Sequence, residues 1–268
     1  MPSTTGTGKK TPRSSLCKKV SFTVPTSWGE LTQQQLRYIL NLLRIYGEQS
    51  GGMAAVKMWA LRYFCGFSVI RHTDDGWLCE LVDEERLFLL ADGLLPSMEE
   101  QVSWLEHPED MTVRLEQVGE YKAVNMWLQQ YPFGNYLALE NSYQAYLQTR
   151  EQKPLEMMFR LLYQVPDGAD ITFGDCLPLS VFLWFTAVKK RFASQFSHFL
   201  KPAGGGSQPG TMQSQYEMMQ SQIRLLTKGD VTKVNQVMNA DTWQALSELD
   251  ALARESEEFN RKYGSKHV

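Results

Sequence analysis

Leu177-Pro178-Leu179-Ser180-Val181-Phe182-Leu183-Trp184-Phe185-Thr186-Ala187-Val188, with Lys189-Lys190-Arg191-Phe192 and then Phe196 and Phe199 behind it, is the stretch on which the fold turns. Val181, Phe182, Trp184, Phe185, Val188, Phe192, Phe196 and Phe199 recur at helical spacing for about six turns of 3.6 residues. Asp175 ahead of Pro178 sets the expected start. Apolar residues occupy more than one face, which predicts a central helix contacted from several sides. Pro178 and Ser180 interrupt the run and three bases follow it. It falls well short of the roughly 20 apolar residues of a bilayer span, so no transmembrane segment is expected.

Working towards the N-terminus, Phe133 to Tyr163 reads as two helices joined by a turn at Thr149–Pro154. The first carries Tyr136, Leu137, Leu139, Tyr143 and Tyr146, the second Leu155, Met158, Phe159, Leu162 and Tyr163. Thr32-Gln33-Gln34-Gln35 has the form of a capping box, and Leu36, Ile39, Leu40 and Leu43 continue it as one stripe as far as Gly47. A second helix is expected from Met53 to Phe64, antiparallel to the first. Phe67 to Val82 changes period around Thr73-Asp74-Asp75-Gly76, a hairpin signal because Asp and Gly tolerate positive φ. Arg86 to Leu90 fits either a third strand or a helical turn. Ser97 to Leu105 predicts a helix with Ser97 as its cap. Val20 to Val24 alternates apolar and polar up to Pro25, as a short strand would.

Towards the C-terminus, Pro202 to Gly210 lacks large apolar residues, and residues 202–212 read as a flexible linker. Beyond it come Gln213–Leu226, a Thr227-Lys228-Gly229-Asp230 turn, a short helix Val231–Met238, and Thr242–Tyr263 capped by Asp241. Trp243, Leu246, Leu249 and Leu252 lie on one side of that last helix. So small a unit must bury them against its own body, another copy or a partner helix. The expected architecture is mainly α with minor β. It comprises a basic arm at 1–19, a helical body with a small β-hairpin at 20–201, and a short helical module at 213–268.

Composition bounds the function. The 268 residues include 13 Phe, 11 Tyr and 7 Trp, which need a core or a partner to cover them. A formal net charge of -3 does not supply the basic field of a nonspecific nucleic-acid binder. Four scattered cysteines make no disulfide framework, and a reducing, cytoplasmic setting is expected. The arm, with Lys9, Lys10, Arg13, Lys18 and Lys19, has no apolar core like that of a secretory signal.

Chemical motifs are sparse. Gly8-Lys9 would need a Gly at position 3 and Ser or Thr at position 10 to be a P-loop, and Ser3 and Lys10 stand there. Cys65, His72 and Cys79 match no zinc-module spacing. His107, His198 and His267 accompany no nucleophile elbow or HExxH. The pairs Asp74-Asp75, Glu84-Glu85, Glu99-Glu100 and Glu257-Glu258 read as solvated faces, as do Lys189-Lys190-Arg191. No catalytic residue, cofactor or metal site is expected.

Gln222-Ile-Arg-Leu-Leu-Thr-Lys-Gly-Asp-Val-Thr-Lys233, Thr242-Trp-Gln-Ala-Leu-Ser-Glu-Leu-Asp250 and Glu257-Glu-Phe-Asn-Arg-Lys-Tyr263 together resemble proteins of Bacteroidetes-type phages and prophages. The segment is also similar to the small helical end of some tail assembly chaperones, over about a fifth of the chain. The resemblance implies a non-enzymatic role in tail morphogenesis, covering apolar helices of a tape-measure or other tail protein in the host cytoplasm. Trp243, Leu246, Leu249 and Leu252 would form the contact stripe, and Thr227, Gly229 and Asp230 would shape the turn. A structural head–tail connector or neck component is the alternative. A nucleic-acid-binding regulator using the arm and Lys189–Arg191 is a further one.

Overall fold

The computed structural model describes residues 20–166, 168, 169, 174, 176–200 and 212–263; the expected basic arm, residues 202–211 of the expected linker, Asp175 and His267 lie outside these. Helix dominates, with a small antiparallel sheet, so the chain is mainly α with minor β. No helix among the described residues is long and apolar enough to cross a membrane.

Helix α1 (Gln33–Tyr46) opens with the expected capping box. The Gln35 amide donates to the Thr32 hydroxyl at 3.2 Å, and the Thr32 amide donates to the Gln35 side-chain oxygen at 2.9 Å. Helix α2 (Gly52–Cys65) returns alongside it and ends on Gly66, whose φ of 63° is the left-handed value that closes a helix. Strands β1 (Phe67–Thr73), β2 (Gly76–Leu81) and β3 (Arg86–Leu90) then form a meander, so the segment with two readings resolves as a third strand. Val20–Val24 is a correction: it forms no strand and joins no sheet among the described residues. Its period of two records burial instead, since the Phe22 ring lies 6.0 Å from Phe67 and 5.7 Å from Phe88.

The helix expected over Ser97–Leu105 is also corrected. Helix α3 (Leu95–Glu100) covers only its first part, and a separate 3-10 turn follows at Ser103–Glu106. Ser97 is no cap, because it already lies inside the helix and its hydroxyl donates back to the Leu94 carbonyl at 2.8 Å. An irregular passage follows, containing the two-residue strands β4 (Gln117–Val118) and β5 (Tyr121–Lys122).

Helices α4 (Phe133–Thr149), α5 (Gln152–Leu162) and α6 (Leu177–Gln195) build the core. Between α4 and α5 Arg150 takes a positive φ, and Pro154 sits in the first turn of α5, where its missing N–H costs nothing. Helix α6 stops at Gln195, a turn earlier than Phe199, although Phe196 still packs within the core. Val181, Trp184, Phe185, Val188 and Phe192 are buried, as a helix enclosed from several sides requires.

Helix α7 (Met212–Thr227) begins at the last position of the expected linker. The predicted turn follows, with Lys228 and Gly229 at positive φ and Asp230 accepting from the Thr232 amide at 3.0 Å. Val231–Met238 splits into a 3-10 turn at Val231–Lys233 and helix α8 (Val234–Met238). Helix α9 (Thr242–Tyr263) is the last described element, and the Gln244 amide donates to Asp241 at 3.2 Å, the expected cap. Helix α8 reaches α4 because position 134 is glycine: a Cβ there would lie 2.8 Å from Cε of Met238. Ala245, Leu246 and Leu249 share one continuous core with α1, α2 and α4–α6, while a smaller cluster of Phe67, Cys79, Leu81, Phe88 and Leu90 lies under the sheet.

Candidate interaction surface

The stripe expected on the last helix faces inward. Leu246 and Leu249 are fully buried and Leu252 is half-buried. The Trp243 ring stands edge-on to Phe192 at 5.3 Å and to Phe196 at 5.4 Å, and its Nε1 donates to the Trp127 carbonyl at 2.7 Å. Of the three occupants open to that stripe, the body of the same chain is the one in contact. At the turn, Thr227 is buried and Asp230 pairs with Lys233 at 3.3 Å.

Other sequence candidates have internal tasks. Lys189 Nζ sits 2.5 and 2.6 Å from the two oxygens of Glu140, Lys190 pairs with Asp110, and Arg191 lies over the Trp127 ring at 4.5 Å. The basic triplet thereby ties α6 to α4 and to the passage before it. His72 pairs with Asp92 at 3.1 Å, and Cys79 is buried. Burial pushes the Cys65 thiol up to about 11, the opposite of what a reactive thiolate needs. No group of three or more His, Cys, Asp or Glu side chains converges for a metal among the described residues. His107 lies beside Glu109 at 3.5 Å. His198 lies 2.9 Å from Glu257, and Asp250 accepts from the His198 and Phe199 amides at 2.8 and 3.0 Å. Those contacts anchor the middle of α9 to the end of α6.

Past that anchor α9 changes character. Phe259 and Tyr263 pair ring to ring at 4.8 Å, yet are 62% and 56% exposed. On α7, Tyr216, Met218 and Leu225 are likewise exposed. A second uncovered surface is the outer face of the sheet. Leu87 and Leu89 on β3 are 54% and 46% exposed, beside half-buried Leu78 on β2. Sequence reasoning missed both surfaces, although a signal exists for the second. Arg86-Leu-Phe-Leu-Leu90 does not alternate with polar residues, the mark of a strand apolar on both sides.

The pocket at the sheet's edge holds about 200 Å³ and is lined by Phe22, Cys65, Leu81, Asp83, Glu84 and Arg86, among others. Its acids and its lone arginine, which pairs with Glu84 at 3.3 Å, make no acid–base pair with a nucleophile. No protein-family model matches the chain, and neither the curated proteins nor the solved structures searched include a match.

Proposed function

We propose that this chain is a non-enzymatic morphogenesis protein of a phage or prophage, similar to a tail assembly chaperone, that covers apolar helices of a tail protein such as the tape measure. The observation that carries the reading is the exposed Phe259–Tyr263 pair on the last turns of α9. It falls within the segment that bears the resemblance. Trp243, Leu246 and Leu249 support the reading in a different role from the one expected. They fix the first half of α9 to the body, so the second half is presented on a rigid support, which lowers the entropic cost of binding. An amphipathic partner helix would cover the two rings through apolar residues spaced three and four apart.

Co-expression with a helical segment of a phage tape-measure protein tests this. The expected result is a complex on size-exclusion chromatography that keeps the tape-measure segment soluble. Substituting Phe259→Ser and Tyr263→Ser together removes the complex while the circular dichroism of the chain stays unchanged. Recovery of the chain in stoichiometric amount from purified virions would instead establish the connector or neck reading.

A further inference from the structure

We infer that the outer face of the β1–β2–β3 sheet is a docking site for a basic amphipathic helix of a partner protein, separate from the end of α9. The face carries three leucines, Leu78, Leu87 and Leu89, at positions where a solvated sheet would be polar. Leu78 pairs with Leu89, and Leu87 lies diagonally beside them on the same side, while the inner side is filled by Cys79 and Phe88. A sheet with apolar residues on both faces suits the middle of three layers, and among the described residues only one covering layer is present. Ile70, at the irregularity in β1, adds a further exposed side chain.

Charge names the chemistry of the missing layer. Residues 67 to 92 carry seven acids against two arginines and no lysine. Arg86 pairs with Glu84 at 3.3 Å, which leaves the balance acidic. The acids concentrate at the two ends of the face. Asp74 and Asp75 form the turn between β1 and β2, with Asp92 just after β3, and Asp83, Glu84 and Glu85 form the turn between β2 and β3. On the face itself stand Glu80 and, on the β1 edge, Arg71. Five residues of strand separate the acidic ends by about 17 Å, the length of about 11 residues of helix. The complementary ligand is therefore a three-turn helix with an apolar stripe and Lys or Arg at both ends. A second copy of the same face is disfavoured, because it would oppose acids to acids.

The probe is a synthetic 18-residue helical peptide with a leucine stripe and lysines at both ends, titrated by fluorescence anisotropy into the full chain. A peptide with the same stripe and glutamates in place of lysines is the control. The lysine peptide should bind, roughly tenfold or more tightly than the glutamate peptide, and weaken with added salt. Leu89→Asp should weaken it roughly tenfold. Asp83→Lys, on an exposed turn, should weaken it several-fold and serves if Leu89→Asp perturbs the fold. The Phe259→Ser and Tyr263→Ser pair should leave it unchanged, so failure here and failure of the tail-assembly reading are separately visible. Equal binding of both peptides, or no effect of either sheet variant, overturns the inference. So does a dimer in analytical ultracentrifugation that Leu89→Asp dissolves, or a gain of roughly tenfold in peptide affinity on deleting residues 1–19. The first would make the occupant a second copy, the second the chain's own arm.

Discussion

The aromatic residues do more here than fill volume. Trp184 Nε1 donates to the Met126 carbonyl at 2.8 Å, Tyr163 to Leu115 at 2.8 Å, Tyr131 to Leu161 at 3.1 Å and Trp243 to Trp127 at 2.7 Å. Most of these carbonyls belong to the irregular passage between α3 and α4. A buried passage without regular structure strands its polar groups, and the rings of Tyr163, Trp184 and Trp243 supply the missing donors. Burial also pushes the phenols of Tyr131 and Tyr163 well above their usual value of 10.0. The folded chain thus holds two protons that the unfolded chain releases near pH 10. Their contribution to stability is fully present below that pH and is lost as pH rises beyond it. Denaturant midpoints should fall steadily above about pH 10. The phenolate absorbance of these two rings should appear together with loss of near-ultraviolet circular dichroism. Free titration of every tyrosine near pH 10 in the folded state would contradict this.

At the scale of the elements, the legible ones are those whose local chemistry and burial agree. Thr32 and Gln35 cap α1 as their spacing predicts, Asp74-Asp75-Gly76 turns the hairpin, and the aromatic repeat marks α6. Thr32→Ala should cost about 1 kcal/mol, read as a shift in the urea midpoint, since it strands one orphan amide of the first turn. Val20–Val24 misleads because alternation reports burial and cannot report whether a neighbouring strand exists. Ser97 misleads because the helix starts two residues before it, at Leu95 with Pro96 next, so the hydroxyl lies within the first turn. Most of the candidate surface was illegible for a tertiary reason. Trp243 and Leu246 have the same spacing whether they meet a partner or their own body, and only the positions of Phe192 and Phe196 decide between the two. Phe259 and Tyr263 looked unremarkable in sequence, and only the end of the core short of them leaves them bare.

At the scale of the whole molecule, the C-terminal helices and the body share one core. Leu246→Ala should therefore destabilise the entire chain by about 2–5 kcal/mol. Tryptophan fluorescence and circular dichroism should report a single shared transition. Two separate transitions, with only the smaller one shifted, would mean that the C-terminal helices unfold on their own. Six of the seven Trp residues lie at or before Trp184, so fluorescence weights the body and circular dichroism weights all helices.

The start of α4 illustrates what a shared core demands in time. The Phe133 amide donates to the Ala240 carbonyl at 2.9 Å, and the Thr242 amide and hydroxyl donate to the Tyr131 carbonyl at 2.9 and 2.7 Å. A ribosome adding about 5–20 residues per second needs roughly 5–20 s to travel between these partners. The seal can close only once Ala240 and Thr242 have been joined. In the later part of that interval, once Phe192 and Phe196 have been joined, the growing chain shows an aromatic wall that Trp243 has yet to cover.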